Sequence, residues 1–168
     1  MTKIILLLFL APSFLLAQDD QYRQYVLSES LPTDLSRTLR QSGFLKKYDL
    51  NEVVNPFYLR GDFNGDAKMD YAIAVTDKQT DKRGIAIFTS QTDFVLIGAG
   101  TSLPNRDMDD FRWMDAWYVY DNRQVGIGVG ETEELILTSD AIMAVKTESA
   151  SGIIYWNGKE FRWYQQGD

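Results

Sequence analysis

Gly61-Asp62-Phe63-Asn64-Gly65-Asp66-Ala67-Lys68-Met69-Asp70 runs directly into Tyr71-Ala72-Ile73-Ala74-Val75, and this junction of a polar loop with an apolar strand decides how the chain is read. Asp62, Asn64, Asp66 and Asp70 place side-chain oxygens at relative positions 1, 3, 5 and 9. Alternation of that kind in a tight loop suits a hard cation that takes many oxygen ligands, as Ca²⁺ does. Three aspartates this close repel one another unless a cation sits between them. The bland alternative is an Asn-Gly-Asp turn whose side chains cap its own backbone and hold no ion. Either way the segment reads as a turn between strands, with residues 57–59 before it and 71–75 after it.

Downstream the hydrophobic period stays at two. Strands are expected over 57–59, 71–75, 85–89, 94–97, 116–120, 124–129, 135–137, 141–145, 152–156 and 161–164. Turn signals separate them at Asp81-Lys82-Arg83-Gly84, Asp121-Asn122 and Asn157-Gly158; the last, between aromatic runs, favours a tight primed hairpin turn. Short connections of this kind argue for antiparallel meanders and against βαβ crossovers. Upstream, Leu31, Leu35 and Leu39 recur at helical spacing, with Pro32 in a first turn, Thr33 or Asp34 able to cap, and Gly43-Phe44 as a stop. The polar stretch before it reads as loosely ordered until Tyr22 or Tyr25. The expected fold is therefore mainly β, on the α+β border: an antiparallel β-meander or sandwich with one short N-terminal helix.

The first seventeen residues read as an address. Lys3 is followed by an apolar run over 4–10 and by Phe14, Leu15 and Leu16, with the small Ala17 before Gln18-Asp19-Asp20. Such a stretch is short for a membrane span, and this points to a cleaved secretory signal over 1–17 and one mature domain over 18–168, secreted or periplasmic. With no cysteine at the cleavage point, no lipid anchor is expected after signal removal. Roughly 150 residues suffice to bury a core without covalent staples. They must, because the chain has no cysteine: stability has to come from packing or from a bound ion. The absence of histidine removes the commonest general base and the usual zinc ligand. A formal charge of -7 disfavours nucleic acid and anionic lipid as partners.

Measured against the EF-hand pattern, Asp62, Asn64 and Asp66 match positions 1, 3 and 5, Lys68 offers a carbonyl at 7 and Asp70 fills 9. Ala67 stands where a glycine makes the sharp turn, and Ile73 stands where a bidentate glutamate belongs. Strand residues follow in place of an exiting helix. The loop is not an EF-hand. It resembles instead the calcium loops of FG-GAP and VCBS-type repeats, over residues 57–75. That resemblance implies a loop joining two antiparallel strands, with Asp62, Asn64, Asp66 and Asp70 as side-chain ligands of Ca²⁺ and Lys68 as a ligand through its carbonyl. Nothing else in the chain repeats the motif, so it implies a metal loop on a small β domain and not a propeller.

Other constellations are weaker. Asp107, Asp109 and Asp110, with Asp115 nearby, lack the alternating spacing and read as a solvated loop. Glu131, Glu133 and Glu134 could supply a carboxylate pair for glycoside hydrolysis, but a charged hairpin turn before Leu135 is the better reading; a small calcium-dependent hydrolase using paired carboxylates is a separate alternative. Gly126, Gly128 and Gly130 leave one strand face bare, which suits close packing; the acids after them oppose a phosphate loop. Trp113, Trp117, Tyr118 and Tyr120, with Tyr155, Trp156, Phe161, Trp163 and Tyr164, supply core rings or, where exposed, a surface for a polysaccharide or a secreted protein partner. Trp113 and Tyr118 are the candidates for exposure.

Overall fold

The computed structural model describes residues 11–90 and 93–167, with side chains from residue 18 onward. Helices α1 (Ala11–Glu29), α2 (Thr33–Gln41) and α3 (Phe44–Lys47) come first. Strands β1 (Tyr48–Leu50), β2 (Tyr58–Gly61), β3 (Asp70–Asp77), β4 (Arg83–Phe88) and β5 (Phe94–Gly98) follow, then β6 (Ala116–Tyr120), β7 (Gln124–Val125), β8 (Leu135–Ile136), β9 (Ala141–Lys146), β10 (Ala150–Trp156) and β11 (Phe161–Gly167).

Alternation along β3 and β4 sets the layers. Side chains at successive strand positions face opposite sides, and here both sides are buried, so the two strands read as nearly unbroken apolar runs. Ala72, Ala74, Ile85 and Ile87 pack against Trp117, Ile142, Ala144, Ile154 and Trp163. Ile73, Val75, Ala86 and Phe88 pack the other way, onto Leu27, Leu35, Leu39 and Phe44 of the helices. The first sheet carries β3 at its heart, with β4 and then β5 on one side. On the other side β1 and β2 pair with successive halves of β3, Leu50 opposite Val75 and Tyr58 opposite Ile73. The second sheet runs β11-β10-β9-β6. Its outer face, with Met143, Ile153 and Tyr164, is covered by Val125 of the small β7–β8 hairpin and by Leu137 just beyond it. Every strand pairing is antiparallel. The fold is mainly β, as the sequence pattern requires: helices, sheet, sheet and hairpin cover lie in succession.

Several local expectations are corrected. The stretch from Gln18 to Tyr25 is not loosely ordered but belongs to α1, because Leu27 is buried and Gln24 is held: its carboxamide donates to the Leu50 carbonyl at 3.0 Å and accepts from the Leu50 amide at 2.7 Å. Among the described residues, three helices therefore replace the single one. Of the expected leader, residues 1–10 lie outside the described residues, and α1 runs through the expected cleavage point after Ala17. In α2 the N-cap is Pro32, without a side-chain cap, while Thr33 is already helical. The strand expected over 124–129 ends at Val125. Gly128 leaves the ladder to approach the β11 backbone, where a Cβ would stand 1.7 Å from the Gln165 carbonyl oxygen. The Tyr164 hydroxyl accepts from the Gly128 amide at 3.0 Å and lies 2.8 Å from the Glu133 carbonyl. At the last hairpin, pairing stops at Trp156–Phe161, and Asn157 takes the corner position instead of a central one. Its side-chain oxygen accepts from Lys159 and Glu160, both at 2.9 Å, and only Gly158 has positive φ.

Candidate functional site

The 62–70 segment closes a hairpin, as its sequence implies: Gly61 of β2 pairs with Asp70 of β3. Asp62 organises the loop from its first position. One carboxylate oxygen accepts from the amides of Gly65 at 2.7 Å and Asp66 at 3.0 Å, and the other from Ala67 at 3.0 Å. Asn64 accepts from the Asp66 amide at 3.0 Å. Asp66 in turn accepts from the Lys68 amide at 2.9 Å, and the Lys68 ammonium lies 3.4 Å from its second oxygen. That backbone bond, followed by the neighbouring Lys68 charge and hydrogen bond, lowers the Asp66 carboxyl below its ordinary value. Ala67 adopts φ 62, the left-handed conformation that glycine would occupy without strain.

Asp70 differs from the rest. It is wholly buried, and Oδ2 accepts from the amides of Phe63 at 2.9 Å and Asn64 at 3.2 Å. Among the described residues, Oδ1 has no hydrogen-bond partner. Burial pushes its carboxyl from the ordinary 3.8 up to about 6; the two backbone bonds oppose that, and the charges of Asp66 and Asp62 add to it. Buried polar atoms are ordinarily satisfied, so an orphaned carboxylate oxygen under a loop bearing two further carboxylates is a specific anomaly. Among the described residues, no three His, Cys, Asp or Glu side chains already converge into a metal cage. The donor set nevertheless consists of hard oxygens, and one of them lacks a partner, so its chemistry fits a hard cation and not a soft one.

The loop is also held from outside by residues that the sequence did not single out. The Asp62 amide donates to Asp140 Oδ2 at 3.0 Å, and the Asp140 amide donates to the Asp62 carbonyl at 2.9 Å. Ser139 Oγ donates to the Phe63 carbonyl at 3.3 Å, and Arg123 pairs with Asp140 Oδ1 at 3.2 Å. No local spacing announces these partners; Ser139 and Asp140 lie more than seventy residues from the loop groups they bond.

The second acidic group is committed to structure. Asp109 pairs with Lys82, while Asp110 accepts from the Arg83 and Arg112 amides, both at 3.0 Å. Asp107 accepts from Ser102 at 3.2 Å. Asp115 takes the Thr147 amide and hydroxyl, both at 2.8 Å, and pairs with Lys146, which hold its carboxyl down at about 2. Glu131 accepts from the Gln165 amide at 3.0 Å, Glu134 from Gln124 at 2.9 Å, and Glu133 is exposed. Of the aromatic residues, Trp117, Phe161, Trp163 and Tyr164 are buried and Trp113 is half-buried, its ring 5.6 Å from that of Phe111. Tyr118 is half exposed on β6, an edge strand. Comparison with protein-family models, with curated proteins and with solved structures gave no match. Among the described residues, no helix is long and apolar enough to cross a membrane.

Proposed function

We propose that this protein is a secreted or periplasmic β domain whose 62–70 hairpin takes Ca²⁺, with Asp62, Asn64, Asp66 and Asp70 supplying side-chain oxygens and Lys68 its carbonyl, in the manner of FG-GAP and VCBS-type loops. The observation that carries this reading is Asp70: fully buried, with Oδ1 unpartnered, beneath two more carboxylates. A bound calcium ion would supply the positive charge that lets all three aspartates stay ionised together. The loop's own amides already fix Asp62 and Asp66, so ordering the segment needs few further degrees of freedom. The carboxylates do not yet converge and Ala67 is strained, which favours a weak site over a tight one.

The role is structural binding. Mass action gives about 2.7 kcal/mol of added stability when free calcium stands a hundredfold above Kd. Thermal unfolding in chelator and then across a calcium titration, with magnesium as control, tests it. A saturable, calcium-specific rise in Tm is expected, and Asp62→Ala and Asp66→Ala should each remove it while leaving the fold intact. An unchanged melting curve would reduce the loop to a self-capped turn. A second reading, an interaction module for a polysaccharide or secreted protein, draws on half-exposed Tyr118 at the β6 edge; Tyr118→Ala should then lower retention on a polysaccharide matrix without altering the calcium response.

A further inference from the structure

The Asp62-Phe63 peptide is gripped from two sides. From β3, Asp70 accepts the Phe63 amide at 2.9 Å. From the turn before β9, Asp140 exchanges two hydrogen bonds with Asp62, and Ser139 donates to the Phe63 carbonyl. The Phe63 ring sits between the two sheets, 1% exposed. Gly61 leaves room for this arrangement, since a Cβ there would lie 2.9 Å from the Phe63 ring and 3.1 Å from Asp140 Oδ2. Loop and second sheet thus meet through a short run of mutually dependent bonds, and Arg123, just ahead of β7, supplies the counter-charge to Asp140.

We propose that Asp140 is a positioning residue for the calcium loop, and that through it occupancy of the loop is coupled to closure of the second sheet on the first. This rests on the calcium reading above. Asp70 is among the proposed ligands and Asp140 is not, yet both hold one peptide. A cation that fixes Asp70 and Asp62 fixes the groups Asp140 bonds to, and by linkage a docked Asp140 favours the cation equally. Both Asp140 oxygens are engaged, by the Asp62 amide and by Arg123, so its contribution is placement and not ligation.

Amide hydrogen exchange on the full chain, in calcium and in chelator with magnesium as control, separates the outcomes. In the wild-type protein calcium should slow exchange over 62–70 and also over 139–145. Asp140→Ala should keep the slowing in the loop, lose it over 139–145, and weaken calcium binding by about five-fold, the low end of usual coupling. Asp140→Asn, which preserves an acceptor for the Asp62 amide, should restore most of the spread. Slowing confined to the loop in the wild-type protein, or spread undiminished in Asp140→Ala, overturns the coupling while the calcium reading stands. No calcium-dependent slowing anywhere removes the calcium reading, and the coupling with it.

Discussion

Asp70 is a carboxyl sealed from water with one oxygen bonded and the other not, and its titration should be visible in the stability of the metal-free protein. Its folded pKa is raised, from the ordinary 3.8 to about 6, so the folded state holds this proton more tightly than the unfolded chain does. The resulting stabilisation is complete below about pH 4 and is lost as pH rises through 6. Urea unfolding in chelator should therefore show stability falling between pH 4 and 7, and Asp70→Asn should flatten that slope while abolishing any gain from calcium. Equal slopes in the two proteins would refute the assignment. Ala67 offers a second residue-scale test. At φ 62 an alanine is strained by roughly 1 kcal/mol relative to glycine, and Ala67→Gly should return about that much in chemical denaturation. What could be read at this scale was spacing: Asp62, Asn64, Asp66 and Asp70 announce themselves by alternation, and Ala67 by occupying a glycine's place. Burial of Asp70 and the reach of Asp140 depend on register and on the meeting of two sheets, which no local pattern carries.

At the scale of elements, strands with full ladders were legible and those made by tertiary contact were not. The expected 71–75 and 141–145 lie within β3 and β9 because burial on both faces leaves an unbroken apolar run in the sequence. Strand β1, three residues after a lysine pair, has no period of its own; it forms because β3 pairs with one edge and the Gln24 carboxamide bonds Leu50 on the other. The 126–130 stretch likewise kept an alternating pattern but left the ladder to reach Tyr164. The glycines there should separate cleanly under substitution. Gly128→Ala must push a methyl into the Gln165 carbonyl, and the hairpin cover should detach, at a cost of more than about 2 kcal/mol. Gly126→Ala meets nothing within 4 Å and should be near neutral. Limited proteolysis across 124–136 together with urea unfolding distinguishes them; equal behaviour of the two variants would show that the cover is not held at Gly128.

For the whole molecule, with no disulfide to restrict the unfolded chain, stability rests on the packed layers and on a few polar ties between distant segments. Asp115 is one such tie, binding the approach to β6 to the turn between β9 and β10. Its carboxyl is depressed, to about 2, chiefly by the Thr147 amide, so its contribution is present above about pH 4 and is lost as pH falls through 2. Asp115→Asn should accordingly shift acid unfolding, followed by far-UV circular dichroism, to higher pH; an unmoved acid limb would mean the tie carries no stability. Asp115 and Asp70 therefore respond to pH with opposite signs: the first tie weakens as the solution is acidified, the second contribution as it is made neutral.

All four tryptophans lie in the layer between the two sheets, Trp117 and Trp163 buried there and Trp113 and Trp156 packed against it, while the helical layer has none. The chain thus carries an optical reporter confined to one seam. Tryptophan fluorescence, excited on the red edge that passes over the tyrosines, will register the parting of the sheets and stay blind to helices lifting from the outer face, whereas ellipticity will register both. Two melting curves from one sample therefore reveal whether the helical coat leaves before the sandwich opens.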